Sequence, residues 1–172
     1  MLVRQGQLGE AEGLAALAIQ VWLHTYATAG VSSTIARYVL SEFTAEKFQT
    51  RLSDASSTVL VAEIDKNLVG YAIAATGAAC PVNTGAKVEL ATLYVQEHFV
   101  GKGTGSLLLR QAELRARQRA DSSLWLTVNS KNFGAKAFYA KHGYIALGTT
   151  FFRLGHEDHE NLVLVGPDAQ PH

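Results

Sequence analysis

The spacing of apolar positions changes along the chain, from a helical period in the first third to patterns typical of strands beyond it. Leu14, Leu17, Ala18 and Val21 recur at helical spacing and predict a helix over 10–28. Shorter elements are predicted around that helix: a strand over 1–5, a helix over 33–40, and a helix over 45–52 that Thr44 caps.

Strands dominate after position 57, where β-branched and aromatic residues cluster between turn residues. The predicted strands cover 57–65, 68–77, 87–95, 122–129, 144–154 and 160–166, and helices are predicted over 104–119 and 131–143. The first of these two helices carries an apolar stripe made of Leu108, Leu109, Ala112 and Ala116. Without a repeat or a linker, this pattern predicts a single α/β domain over 1–172, a mixed sheet with helices on both faces, and a loose tail after Pro167.

Composition and charge limit the classes of function. The chain has 172 residues, 48% of them hydrophobic, and its 15 basic and 15 acidic residues balance, so no overall charge favours a nucleic-acid partner. Cys80 is the single cysteine, which excludes an internal disulfide and favours a reducing compartment. The first residues lack the apolar core of a signal peptide and no run is long enough to span a bilayer, so we expect a cytoplasmic protein without a membrane partner.

Three glycines at alternate positions, Gly101, Gly103 and Gly105, lie between a predicted strand and a predicted helix. The first N–H groups of a helix have no internal partners and carry partial positive charge, so an anion binds well where small residues expose them. The spacing matches neither the phosphate loop of nucleotide hydrolases nor the dinucleotide fingerprint. On spacing alone, a tight turn without a ligand remains open.

The surrounding residues add a resemblance. The stretches ELATLYVQEHFVGKGTGSLLL and WLTVNSKNFGAKAFYAKHGY resemble the acetyl-CoA-binding half, here about 87–144, of the GNAT superfamily of N-acetyltransferases. The second stretch contains the whole of that family's second motif: Asn132, Ala135, Phe138, Tyr139, Gly143 and Tyr144. In the first motif Val100 stands where the family usually has Gln or Arg, which removes one side-chain donor and leaves the backbone amides. The resemblance implies a mixed, mostly antiparallel central sheet flanked by helices on both faces.

The resemblance also implies a binding site for acetyl-CoA, used as co-substrate and without a metal. The diphosphate would lie on the amides of 101–106, the pantetheine arm would follow the strand that ends at Val95, and Asn132 would hydrogen-bond that arm. The implied cofactor-binding residues are Leu93, Tyr94, Val95, Val100, Gly101, Lys102, Gly103, Thr104, Gly105, Ser106, Asn132, Ala135, Phe138, Tyr139 and Lys141. For Lys141, contact with the adenosine phosphate and plain exposure on a helix are equally open.

Two residues take catalytic roles by the same resemblance. Glu89, between the apolar residues Val88 and Leu90, would be the base that takes a proton from the attacking amine, or else a solvent-facing strand residue. Tyr139 would donate a proton to the leaving thiolate, or else pack as an aromatic under the cofactor. A backbone N–H near Val95 would stabilise the developing oxyanion. The segment GHEDHENL is interpreted as a hairpin turn and not as a metal site.

A further resemblance implies that the acceptor is a small amine. Short stretches, among them VWLHTYA and GTTFFRLGHEDHENLVLV, are similar to the PaiA-like branch, which acetylates spermidine and spermine. Acids that could bind such a polycation are Glu42, Glu46, Glu89, Glu157, Asp158 and Glu160. A protein N-terminus, another small amine, and a non-catalytic acyl-CoA-binding regulator remain alternatives, and relatives suggest a homodimer through the C-terminal strands.

Overall fold

The computed structural model describes residues 1–82 and 84–167, and these form seven β-strands and five α-helices. The strands are β1 (Leu2–Gln5), β2 (Ser57–Ile64), β3 (Asn67–Thr76), β4 (Val88–Val95), β5 (Leu124–Asn129), β6 (Ile145–Leu154) and β7 (Glu157–Val165). The helices are α1 (Ala11–Tyr26), α2 (Ser33–Glu42), α3 (Ala45–Ser53), α4 (Thr104–Ala120) and α5 (Phe133–Lys141). Two short 3₁₀ turns, Leu8–Glu10 and Glu97–Phe99, were not predicted from the sequence.

The strands follow the order β1-β2-β3-β4-β5-β7-β6 in one sheet. The pairs β1–β2, β5–β7 and β6–β7 are antiparallel, whereas β4 and β5 are parallel. The predicted mixed, mostly antiparallel sheet flanked by helices is therefore confirmed. The tail that we expect to be loose lies outside the described residues.

Contacts within the chain group it into two compact units, each made of two segments. The first unit takes residues 1–73 and 92–112, and the second takes residues 74–91 and 113 onward. The expectation of a single domain over 1–172 stays a prediction.

Helix α1 and strands β2 and β3 supply the core of the first unit. Leu14 and Val61 are fully buried in it, and Phe48 of α3 and Tyr71 of β3 meet edge to face with ring centroids 5.6 Å apart. The predicted cap of α3 is confirmed, because the Thr44 hydroxyl accepts a hydrogen bond from the Lys47 N–H at 3.2 Å. These contacts fix the helices against the sheet of this unit.

The second unit is built around β5, β7 and β6. Strand β7 pairs with β5 from Trp125↔Val165 to Asn129↔Asn161 and with β6 along its whole length. The predicted strand starts at 160, but β7 starts at Glu157, so that only Gly155 and His156 form the turn. The interpretation of the whole segment GHEDHENL as a turn is therefore wrong. Its polar residues sit on an exposed hairpin strand, where no apolar alternation marks the strand in the sequence.

Candidate active site

The glycine loop joins the end of β4 to the start of α4. Gly101 has φ +78° and Gly103 has φ +85°, a left-handed conformation that glycine adopts without steric cost. A Cβ atom built on either residue would meet no heavy atom within 4 Å, so open space lies over both. The 17-residue helix α4 begins directly afterwards at Thr104. The N–H groups of the first turn of α4, which have no partners within the helix, therefore follow directly after two glycines with open space over them.

Side chains of the loop either hold it in place or lie in solvent. Thr104 is 1% exposed and its hydroxyl donates to the carbonyl oxygen of Phe99 at 3.3 Å, so this side chain anchors the loop. Lys102 is exposed and its Nζ lies 5.4 Å from the centre of the Phe99 ring. Val100 is 63% exposed and supplies no donor. Binding of an anion here would rest on the backbone, with Lys102 as the nearest charge within the loop.

The end of β4 is half-buried in the first unit. Tyr94 packs its ring at 5.6 Å from that of Tyr71 and 6.4 Å from that of Phe43, both edge to face. The Tyr94 side chain therefore belongs to the core of the first unit. Leu93 and Val95 flank it and are half-buried as well.

Gly70 is a residue of this region that the sequence analysis missed. A Cβ atom there would lie 2.8 Å from the carbonyl oxygen of Tyr94 and 3.2 Å from Leu108. Only glycine therefore lets β3 approach β4 this closely. A glycine inside an otherwise apolar strand was the available signal, since such a residue indicates close approach of another backbone.

The second predicted motif forms α5 in the second unit. The Asn132 side chain caps this helix, its Oδ1 accepting from the Ala135 N–H at 3.0 Å, which leaves the amide NH₂ as its donor. Tyr139 is 7% exposed, with its ring 5.1 Å from that of Phe138 and 5.5 Å from that of Tyr144. Ala135 and Phe138 are half-buried on the same helix, while Lys141 is exposed at its end.

Tyr144 packs against Tyr139 and is held in place by a hydrogen bond. Its hydroxyl donates to Glu113 Oε1 at 3.0 Å, and burial, with the Glu113 charge second, raises the pKa of Tyr144. The residue is therefore neutral near pH 7, and its ring packs against that of Tyr139. Gly143 precedes it with φ +81° and lets the chain leave α5, as the sequence predicts.

Glu89 lies in the parallel part of the sheet within the second unit. It is half-buried between Val88 and Leu90, which are 3% and 4% exposed, as the predicted alternation requires. Its backbone partner across the strands is Trp125. The side chain of Glu89 therefore leaves the sheet on the face opposite to that of its two apolar neighbours.

Two of the acids expected to attract a polycation already have basic partners. Glu42 lies 2.8 Å from Lys47 Nζ. Asp158 accepts hydrogen bonds from Arg153 at 2.8 and 3.0 Å, which lower the pKa of the Asp158 carboxyl. These two carboxylates therefore contribute less to cation binding than the sequence suggests.

Features of other kinds of site are few. Within 1–82 and 84–167, no group of three or more His, Cys, Asp or Glu side chains is arranged to hold a metal ion. No helix in that same part of the chain is long and apolar enough to cross a membrane. A cavity of about 510 Å³ is lined by residues between Gly77 and Lys87, and none of these is a predicted site residue.

Comparison with known proteins identifies the family of this fold. The model of the Acetyltransferase (GNAT) family matches residues 19–144. An uncharacterized N-acetyltransferase of Mycobacterium tuberculosis is 31% identical over 156 residues, which cover 91% of this chain and 96% of the relative.

Solved structures share the fold at lower identity. PaiA N-acetyltransferase from Thermoplasma acidophilum, in complex with coenzyme A, is 21% identical with a TM-score of 0.71, over 94% of this chain and 96% of that chain. Ribosomal-protein-alanine N-acetyltransferase from Brucella melitensis is 22% identical with a TM-score of 0.71, over 96% and 98%. At these identities the two structures support the fold alone.

The chain belongs to the GNAT family of acetyltransferases. It is an acetyl-CoA-dependent N-acetyltransferase, with acetyl-CoA as its co-substrate. This family membership confirms the class of enzyme that the two motifs indicate.

Proposed function

We propose that this enzyme transfers the acetyl group of acetyl-CoA to a primary amine of a small polyamine such as spermidine or spermine. Two observations support the proposal. The glycine loop offers open, positively polarised backbone to a diphosphate, and the sequence shares short stretches with the PaiA-like branch. The neighbour whose structure contains coenzyme A has the same fold.

The loop 101–106 binds the diphosphate of the co-substrate in this proposal. Its positive-φ glycines, Gly101 and Gly103, leave the space that phosphate oxygens need. The backbone of Leu93, Tyr94 and Val95 binds the pantetheine arm, because the Tyr94 side chain is committed to the core. Val100 has no side-chain donor, whereas the family usually has Gln or Arg at this position. This enzyme therefore depends more on backbone N–H groups to bind the diphosphate.

Glu89 is the base. An aliphatic amine has a pKa near 10.4, so roughly one molecule in a thousand is neutral near pH 7 and able to attack. A half-buried carboxylate takes the proton directly or through a water molecule. The neutral nitrogen then forms a C–N bond to the acetyl carbon, and the Val95 N–H stabilises the negative charge on the acetyl oxygen. When the C–S bond breaks, the C=O bond re-forms, and the nitrogen and Glu89 each release a proton to solvent.

Tyr139 completes the reaction. When the C–S bond breaks, the thiolate of coenzyme A receives a proton from the Tyr139 hydroxyl, and solvent returns one to the tyrosine. Asn132 keeps its amide NH₂ for the pantetheine arm, since its oxygen caps α5. The products are an N-acetylated amine and the free thiol of coenzyme A.

Replacing the proposed acid tests the catalytic assignment. Tyr139→Phe removes only a hydroxyl, so we expect an affinity for coenzyme A within a few-fold of wild type and a turnover lower by about 10²–10⁴-fold. Tyr144→Phe is the matched control, because it removes a neighbouring buried hydroxyl that bonds Glu113. Thiol release by Tyr139→Phe at the wild-type rate would show that Tyr139 is not the acid.

A further inference from the structure

Backbone registers put Glu89 on the same face of the sheet as polar residues further along β5 and β7. Directly paired residues point to one face, and successive residues of a strand alternate between faces. Glu89 pairs with Trp125, and Trp125 pairs with Val165. Steps of two residues from Trp125 and Val165 reach Asn129 and Asn161, which are themselves partners. All five side chains therefore belong to one face of the second unit.

Strand β6 extends this face. Thr150 pairs with Asn161, and Phe152 pairs with His159. Four half-buried residues, Asn129, Thr150, His159 and Asn161, make up what we call the polar patch. At Trp125 and Val165, which share the row of Glu89, residues of the β3–β4 loop pack over this face and Trp125 is 3% exposed, whereas Glu89 itself is half-buried.

Two atoms of the polar patch lack partners. Asn161 Oδ1 and His159 Nε2 are both buried and make no hydrogen bond to any described residue. The carboxylate of Glu157 is 3.8 Å from His159 Nε2, which is beyond hydrogen-bonding distance. Because buried polar atoms in native proteins almost always have partners, these two atoms indicate a ligand group or an ordered water.

The charge of this face favours a cation over an anion. Strands β6 and β7 contribute Glu157 and no Lys or Arg to it, and Arg153 lies on the opposite face, bonded to Asp158. An alkylammonium group brings three N–H donors and a positive charge, which suit Asn161 Oδ1 and Glu157. A carboxylate or phosphate would place its lone pairs against the oxygen of Asn161.

We propose that the polar patch binds the second, non-reacting ammonium group of a long polyamine acceptor. This inference rests on the proposed function, because it takes Glu89 as the base beside the reacting amine. Asn161 lies four residues along β7 from Val165, which is level with Glu89 across the sheet. The backbone positions of Glu89 and Asn161 are therefore roughly 13 Å apart along the strands and about 10 Å apart across them. A long linear polyamine spans this separation and a short diamine does not.

Calorimetric titration of spermine into the protein without acetyl-CoA tests the inference independently of turnover. Asn161→Leu keeps the side-chain size and removes the acceptor, so the Kd for spermine should rise about tenfold or more, as the loss of a hydrogen bond to a charged group does. Binding of n-butylamine, which has no second ammonium group, should not change. Coenzyme A affinity and the melting temperature report whether the variant is folded.

Two glutamates of β7 form a matched pair for the same titration. Glu157→Gln removes a charge on the face of the polar patch, and Glu160→Gln removes one on the opposite face of the same strand. We expect a clear rise in the spermine Kd for Glu157→Gln and a much smaller one for Glu160→Gln. Equal effects, or equal losses for spermine and n-butylamine in Asn161→Leu, would overturn the inference.

The outcome separates this inference from the proposed function. If spermine binding depends on the polar patch but no amine is acetylated, the patch stands and the polyamine acceptor is wrong. If spermidine is acetylated and the patch variants bind spermine as wild type does, the acceptor stands and the patch is wrong.

Discussion

The glycine loop and the polar patch, the two binding surfaces that we propose, are built by opposite means. The loop presents backbone N–H groups and owes its shape to glycines at φ +78° and +85°. The patch presents side chains, and its composition follows from which residues of β5, β6 and β7 are paired. Substitutions in the loop should therefore abolish binding of any ligand there, whereas substitutions in the patch should change which ligand is preferred.

The largest effect is expected from a charge placed in the loop. Gly103→Asp puts a carboxylate into the open space where we propose that the diphosphate binds, so the Kd for coenzyme A measured by calorimetry should rise at least about 100-fold. Gly77→Asp is the matched control, because Gly77 has φ +89° and equally open surroundings. Unchanged affinity in a folded Gly103→Asp variant, or an equal loss in Gly77→Asp, would remove the loop from the binding site.

Removal of the proposed base should give a comparably large effect, in this case on turnover and not on binding of coenzyme A. Glu89→Gln should lower kcat/KM by about 10²–10⁴-fold near pH 7 and by much less at high pH, where the amine loses its proton unaided. Initial rates with spermidine from neutral pH to about 10 measure this, with Tyr144→Phe as a control for a buried change elsewhere. An equal loss at every pH would mean that Glu89 binds the acceptor and does not act as its base.

A smaller effect is expected where β3 approaches β4. Gly70→Ala forces a Cβ to 2.8 Å from the carbonyl oxygen of Tyr94, so overpacking should lower the free energy of unfolding by about 1–3 kcal/mol. Gly85→Ala is the control, since nothing lies within 4 Å of its Cβ position. Chemical denaturation of both variants measures the difference, and equal stabilities would contradict the close approach.

The smallest effect concerns a cluster of charged side chains in the first unit, made of Arg4, Glu10 and Glu63. The Arg4 guanidinium bonds the carboxylates of Glu10 and Glu63, and its hydrogen bond to Glu10 holds the pKa of that carboxyl below its usual value. Because the folded-state pKa of Glu10 is depressed, the stabilisation is fully present above its unfolded value and is lost as pH falls through the folded one.

Replacement of Arg4 tests that pH dependence. We expect Arg4→Gln to destabilise the protein by about 1–2 kcal/mol at pH 7 and by progressively less below about pH 4. Arg37→Gln is the control, because Arg37 is exposed and its Nε donates to the backbone oxygen of Ser33 in the same helix. A difference between wild type and Arg4→Gln that is constant from pH 7 to pH 3 would contradict the linkage.

The sequence predicts the loop far better than the patch for a physical reason. Gly101 and Gly103 meet a local requirement, positive φ before a helix, and local requirements leave a visible motif. Asn161 and His159 become neighbours of Thr150 and Phe152 only through the β6–β7 register. The spacing of residues in the sequence does not reveal which residues lie opposite each other in a hairpin when no turn residues or apolar alternation mark the ends of its strands.

The same distinction between local requirements and long-range pairing explains which acids and glycines could be interpreted from the sequence. The segment around Glu157 contains polar residues at every position, so its strand could not be told from a turn. Basic partners for Glu42 and Asp158 emerged only with the fold. A glycine inside an apolar strand indicates close approach of another backbone at Gly70. The sequence does not show that this backbone is that of Tyr94, which lies on a different strand.

The rate of thiol release with spermidine, compared with a peptide bearing one free amine, tests the central claim most directly. We expect faster acetylation of spermidine and a rate that falls as salt is added, because several acids attract a multiply charged amine. A rate that is insensitive to salt, with the peptide preferred, would contradict a polyamine acceptor and indicate a protein N-terminus instead.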